Sequence, residues 1–229
     1  MRLLVISDIH GNLTALNRVL DSSGGYDLAI CAGDIVGYGP NPGECVDAIK
    51  GLHAACVTGN HDAEVAGGES FGANPAASQA IRIHKRLLST QQTAWLRGLP
   101  RRLELDLAGV KVAVFHGSPV QPLREYVFPH DARMLADHFL ELTGTDVIIL
   151  GHTHMPCEVR TEKGLILNPG SVGQPRDGDP RASYAVMETS GDDVEVTIGR
   201  AEYDIDLVAS RMRERGLPEV LANRLYHGR

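Results

Sequence analysis

Five short polar motifs carry the residue types for metal chemistry: Asp8-Ile9-His10, Gly33-Asp34, Gly59-Asn60-His61-Asp62, Phe115-His116-Gly117 and Gly151-His152-Thr153-His154. Carboxylate and amide oxygens together with imidazole nitrogens form a mixed hard and borderline donor set that suits Mn, Fe or Zn. No cysteine stands in these motifs, which argues against a thiolate-type structural zinc site. The candidate ligands are Asp8, His10, Asp34, Asn60, His116, His152 and His154, seven residues in all. One carboxylate shared between two ions would turn these seven residues into eight ligand bonds, four for each ion. Positions for water and substrate would remain open. Each motif alone says little, because Asp-x-His commonly forms a turn and Gly-Asp is almost uninformative. Their joint order carries the signal. The histidines His53, His84, His130, His138 and His227 follow no such pattern and read as surface or core residues.

The elements that must position these motifs are legible as apolar runs. Residues 2–7, 28–32 and 54–57 read as strands, and 12–22 and 42–52 as the helices between them. That βαβαβ rhythm predicts a parallel sheet. Each motif begins where an expected strand ends, and ligands of open α/β sheets bind outside the carboxyl ends of strands. Asp8 and His10, like His152 and His154, stand two apart, so extended or tight-loop backbone projects both to one side. Gly11, Gly33, Gly59, Gly117 and Gly151 flank the polar residues and permit sharp turns. Residues 63–77 read as a surface loop, followed by one helical region to about residue 99.

The second half is richer in hairpins. Segments 103–107 and 111–115 flank Ala108-Gly109, 157–161 and 165–168 flank Glu162-Lys163-Gly164, and 183–188 and 194–199 flank Gly191-Asp192. Residues 132–142 read as a helix and 146–150 as a buried strand. From about Asp206 the tail reads as helical, with Arg211, Arg213, Glu214 and Arg215 on a solvated face. These strands outnumber one parallel sheet. The expected fold is α/β, two stacked mixed β-sheets flanked by helices, in a single domain spanning 1–229.

Composition narrows the function classes. The chain is 43% hydrophobic and 22% charged, which is globular, and carries a formal net charge of -7. An acidic surface argues against broad nucleic-acid or anionic-membrane binding. Positive charge at a phosphate site would then have to come from bound metal. The N-terminal apolar run ends at Asp8, too soon for a signal peptide or membrane span. A cytoplasmic protein is expected, with Cys31, Cys45, Cys56 and Cys157 as reduced thiols.

The order Asp-x-His, Gly-Asp, Gly-Asn-His-Asp, His, Gly-His-x-His resembles the calcineurin-like metallophosphoesterase family between Asp8 and His154. The resemblance implies a pair of packed β-sheets flanked by helices and two divalent metal ions. One ion would take Asp8, His10, Asp34 and His154, and the other Asp34, Asn60, His116 and His152, with Asp34 bridging. His61 matches the family's catalytic histidine, a general acid that protonates the departing oxygen while hydroxide held by the metals attacks phosphorus in line.

Two departures from the family pattern bear on substrate. Many members, including the Ser/Thr protein phosphatases, continue the second motif as Gly-Asp-x-x-Asp-Arg; Gly37 and Tyr38 occupy those last positions here. The carboxylate that orients the catalytic histidine and the arginine that grips phosphate are therefore both missing. The stretches 33–42 and 168–176 resemble the small prokaryotic phosphodiesterase branch, whose members act on simple phosphodiesters or dinucleoside polyphosphates. Tyr38, Ser171, Arg176 and Arg181 are the candidate substrate-binding residues. A small phosphorylated substrate is expected, with a nucleotide among the candidates. A phosphomonoesterase or protein phosphatase, a non-catalytic scaffold and a nucleotide-binding protein stand as alternatives on the same fold.

Overall fold

Apolar alternation in the strands sets the layers. The computed structural model describes residues 1–229 except Ala73 and Asp192. Strand β1 (Arg2–Ile6) sends Leu3 and Val5 into one buried cluster and Leu4 and Ile6 into another, because successive side chains leave a strand on opposite faces. Helix α1 (Leu13–Ser22) crosses to β2 (Leu28–Cys31), and α2 (Pro42–Gly51) crosses to β3 (Ala55–Cys56); the three strands pair in parallel. The short helices α3 (Asn60–Val65), α4 (Pro75–Leu87) and α5 (Thr90–Arg97) follow.

The second sheet is built from β4 (Arg102–Leu107), β5 (Val110–Phe115), β6 (Val147–Ile149), β7 (Cys157–Thr161) and β8 (Gly164–Asn168), in the order β4-β5-β6-β8-β7. Helix α6 (Pro129–Thr143) joins β5 to its parallel neighbour β6. The chain then returns to the first sheet as β9 (Ala182–Ser190) and β10 (Asp193–Ala201), which gives the order β10-β9-β1-β2-β3. The two mixed sheets share one buried cluster in which Leu3, Val5 and Ile30 meet Val112, Ile149 and Leu167. Leu4 and Ile6 pack outward on Leu16 of α1 and Ile49 of α2, while Phe115 and Ile148 pack outward on Phe139 of α6. Each such side chain contributes roughly 1.5–3 kcal/mol of burial, so both sheets are held on two faces.

Three expectations require correction. Residues 63–65 belong to α3, and α4 begins at Pro75, so the loop is shorter than 63–77; Ala73 within it lies outside the described residues. The Asp62 carboxylate accepts the Gly59 N–H at 3.1 Å and satisfies an orphan donor at the start of α3. A motif of ligand-type residues thus also contains a helix cap. The single helical region to residue 99 is two helices, separated where Ser89 and Gln92 cap the start of α5. The tail is likewise two helices, α7 (Ile205–Glu214) and α8 (Glu219–Leu225), which bury Val208, Met212 and Leu221 against Ala80 and Ile83 of α4. Of the expected turn at Gly191-Asp192, Asp192 lies outside the described residues.

Helix α4 also positions the loop after β2. His84 is fully buried; its Nδ1 accepts the Gly37 N–H at 3.0 Å and its Nε2 donates to the Gly39 carbonyl at 2.8 Å. Only the neutral ring can do both. Burial pushes its pKa down to about 4, against the pull of the Gly39 carbonyl. Between that value and the unfolded 6.5 the folded chain binds fewer protons than the unfolded one. The stabilisation is therefore present above the unfolded value and lost as pH falls through the folded one. Across pH 7 to 4, the stability advantage of wild type over His84→Gln is expected to shrink by on the order of 3 kcal/mol. Chemical denaturation at several pH values measures it, and a constant difference would contradict the assignment.

Candidate metal centre

Five of the seven candidate ligands hold a left-handed backbone: Asp8 (φ 53°), His10 (51°), Asp34 (54°), His152 (67°) and His154 (61°). Each costs roughly 1–2 kcal/mol for an L-residue. Among the described residues only His53 and Ala108 join them outside glycine. Interlocked loops hold the conformation. The Asp8 N–H donates to the Gly33 carbonyl and the His10 N–H to the Asp34 carbonyl, both at 2.9 Å. The His152 N–H donates to Asp8 Oδ2 at 3.0 Å. Asp8 and His10 thus share a direction through a tight left-handed loop. Of the five flanking glycines, only Gly11 and Gly33 take a positive φ. Gly59 serves close approach instead, since a Cβ there would stand 2.0 Å from Asp34 Oδ1.

Donor atoms from all five motifs converge. Asp8, His10 and His154 offer ligand atoms within 4.8 Å of one another, as do Asp34, His116 and His152, and also His10, Asp34 and His61. Asp34 Oδ1 accepts the His61 N–H at 2.8 Å, while Oδ2 lies 3.7 Å from His10 Nε2 and 3.4 Å from His116 Nε2, between the two groups. Asp8 Oδ2 accepts from Ser7 Oγ and the His152 N–H, whereas Oδ1 is buried without a hydrogen-bond partner, 3.2 Å from His154 Nε2. Asn60 Oδ1 lies 3.1 Å from His116 Nε2.

The ring tautomers test whether a cation fits. A carbonyl can only accept, so three rings must carry their proton on Nδ1: His10 toward Val36 O (3.0 Å), His116 toward Ala32 O (2.8 Å) and His154 toward Gln174 O (2.5 Å). The neutral rings of His10 and His154 then present Nε2 lone pairs inward, while His116 Nε2 faces the oxygens of Asn60 and Asp34. His10 Nε2 and His154 Nε2 stand 3.0 Å apart beside the bare Asp8 Oδ1. Such acceptors have no proton to share, and divalent cations satisfy them; outer hydrogen bonds of this kind are what orients imidazole ligands. The donor set fits metal.

Electrostatics agree. Burial works to raise the Asp8 and Asp34 carboxyls, yet His154 beside Asp8 and His116 beside Asp34 hold both well below the usual range. Burial lowers His10 and His154, helped at His10 by His154 and at both by Arg176. It also takes His152, next to His116, down to about 3. His116 is the exception, because Asp34 outweighs burial and pushes it up to about 9.

His61, on the first turn of α3, packs edge-on against His10 with ring centroids 5.0 Å apart, and its Nδ1 is buried without a partner. The neighbouring Asp62 does not orient it: its carboxylate binds the backbone N–H groups of Val36 and Gly59. Burial and Asp34 raise Asp62 to about 7. Gly37 faces His61, and a Cβ there would meet His10 Nδ1 at 2.4 Å and His61 Nδ1 at 3.0 Å, at a φ of 144° that favours glycine. The carboxylate that relatives carry at this position has no room here. Gly37→Asp is expected to destabilise the fold by about 2–5 kcal/mol and not to raise activity, as thermal melts and rate assays would register.

Two of the four candidate substrate residues reach the centre. Tyr38 is 6% exposed, with its ring 4.4 Å from that of His10 and 4.6 Å from that of His61. Arg176 donates to the Tyr38 hydroxyl at 3.3 Å and depresses the pKa of His10, His61 and His154, which places its charge over the cluster. Ser171 lies elsewhere: it is buried, donates to the Asp8 carbonyl at 2.7 Å and accepts the Gln174 N–H at 2.8 Å, which supports the ligand loop. Arg181 is turned away, in an ion pair with Asp179 at 2.7 Å. Sequence reasoning missed Tyr126, whose ring stacks on His152 with centroids 3.7 Å apart and planes at 20°. The available signal was the aromatic-rich loop directly after the His116 motif.

Comparison with known proteins agrees with this geometry. Residues 1–192 match the calcineurin-like phosphoesterase superfamily domain. The uncharacterized protein MJ0912 of Methanocaldococcus jannaschii is 39% identical over 98% of this chain and 97% of its own length. The phosphodiesterase YfcE of Escherichia coli K12 is 27% identical over 82% of this chain and 88% of its own length. The crystal structure of a metallophosphoesterase from Sphaerobacter thermophilus superposes with a TM-score of 0.86 at 39% identity, covering 100% of this chain and 99% of that one. No helix among the described residues is long and apolar enough to cross a membrane. With its five motifs gathered at one end of two packed sheets, this chain belongs to the calcineurin-like phosphoesterase superfamily.

Proposed function

We propose that the chain is a phosphodiesterase or nucleotide phosphoanhydride hydrolase that works with two divalent cations. The observation that carries this reading is the inward crowding of lone pairs from His10 and His154 beside the bare Asp8 Oδ1, with Asp34 Oδ2 lying between His10 and His116. Asp8, His10, Asp34 and His154 would hold one ion, and Asp34, Asn60, His116 and His152 the other. Mn, Fe and Zn all suit the donor set. When bound, the ions supply Lewis-acid polarisation of the phosphoryl group and lower the pKa of water.

The chain's own residues account for binding and proton transfer. Arg176 supplies the cation that position 38 lacks and binds a non-bridging phosphate oxygen. Tyr38 holds that guanidinium and walls one side of His10. His61 delivers a proton to the departing oxygen. Burial lowers its pKa in the free chain, and the negative charge of a bound phosphate raises it again. A single arginine in place of a richer cationic grip favours a diester, which carries less charge than a monoester. The 27% identity to a phosphodiesterase supports the same choice.

Mn²⁺-loaded protein is expected to hydrolyse bis(p-nitrophenyl) phosphate and to retain two metal equivalents per chain by elemental analysis. His61→Ala should lower kcat by ~10²–10⁴ with the metal content unchanged, and Asp34→Ala should leave at most one equivalent. Turnover of p-nitrophenyl phosphate without diester turnover would reject the diester reading, and full activity in His61→Ala would reject the proton donor.

A further inference from the structure

We propose that the cavity beside the metal centre is a nucleoside subsite in which the exposed ring of Tyr126 and the ring of Phe71 stack a base. The proposal rests on the phosphoesterase reading above and names the class of substrate group that the site selects. The cavity has a volume of about 310 Å³, and Asn60, His61 and His152 of the metal centre form one wall. That size is at the low end of the ~300–1,000 Å³ typical of small-molecule sites, which fits one nucleoside better than a folded partner. Phe71, Arg124 and Tyr126 also line it, with the Tyr126 ring stacked on that of His152.

The rings of Phe71 and Tyr126 stand outside the hydrophobic core. Tyr126 is 47% exposed, and neither it nor Phe71 joins any buried apolar cluster among the described residues. One face of Tyr126 is already oriented by His152, 3.7 Å between centroids, and Phe128 continues the near-parallel arrangement at 5.9 Å and 13°. The Arg124 guanidinium lies 4.8 Å from the centre of the Phe71 ring and pairs with Glu69, which fixes a second planar surface. Arg176, the residue assigned to the phosphate, bonds the hydroxyl of Tyr38, which lines the same cavity. The platform assigned to the base therefore shares one cavity with His152 of the metal centre and with Tyr38, which holds that arginine. Aromatic and guanidinium faces bind bases of any sequence through stacking, so selectivity for nucleosides over simple alkyl groups follows without a particular base being chosen.

Two diesters that share one leaving group isolate the nucleoside: thymidine 5′-(p-nitrophenyl) phosphate and methyl p-nitrophenyl phosphate, each assayed with Mn²⁺-loaded protein. Wild type is expected to favour the thymidine ester by about tenfold or more in kcat/KM. Tyr126→Ala and Phe71→Ala should each shrink that ratio by about tenfold, the scale of one lost stacking contact, and Tyr126→Phe should preserve it. Equal kcat/KM for the two esters in wild type, or an unchanged ratio in both alanine variants, overturns the subsite. If neither ester is turned over, the phosphoesterase reading fails, and calorimetric titration with 5′-AMP judges the subsite alone. Binding that Tyr126→Ala weakens about tenfold supports it, and no binding in wild type overturns it.

Discussion

Imidazole lone pairs held 3.0 Å apart repel one another unless a cation lies between them, and the centre of this protein is organised around that requirement. His10 and His154 each give their only proton to a backbone carbonyl, so the inward nitrogen of each ring has nothing left to donate. The two carboxylates beside them are held ionised. Five left-handed candidate ligand residues add strain on the order of 5–10 kcal/mol. A fold tolerates this arrangement only if its surroundings over-determine it. Two sheets buried on both faces, with loops hydrogen-bonded to each other rather than to water, supply that rigidity.

The departures from the family pattern are compensated from distant parts of the chain. Glycine at position 37 is compatible with the close approach of His10 and His61, and His84 on α4 pins the same loop through its backbone. Where the family pattern has arginine, Tyr38 stands, and its hydroxyl is bonded by Arg176, a cation 138 positions later in the chain. The Arg176 loop is itself tied to the C-terminal tail, through the Gly178 N–H to the Gly228 carbonyl at 3.0 Å. Helices α7 and α8 pack in the same cluster as Tyr38. The tail, outside the segment that matches the family domain, thereby supports Tyr38 and the Arg176 loop.

Strands and helix ends differ in how far local pattern reveals them. The strands are legible because apolar runs this short, closed by a polar motif, have the length of a strand and not of a buried helix. Helix boundaries are less legible where capping decides them. Asp62 has the residue type of a ligand and serves as the cap of α3, and Ser89 splits one apparent helix into two. The Ser171 and Arg181 positions show the limit of composition as a guide to contact. A serine in a Gly/Pro-rich loop can face substrate or brace backbone, and only the path of the loop distinguishes them.

The sequence by itself determined which residue types stand at strand ends and in what order, because strand length, side-chain alternation and motif spacing are local properties. It thereby specified the two-sheet architecture, the family and the candidate ligands. Tertiary structure alone decided which ring nitrogen of each histidine faces inward, that Asp34 Oδ2 lies between both ligand groups, that Arg176 meets Tyr38 and that Tyr126 stacks on His152. Those facts depend on carbonyls and side chains far apart in the chain, and nothing in local pattern encodes the direction in which a loop returns.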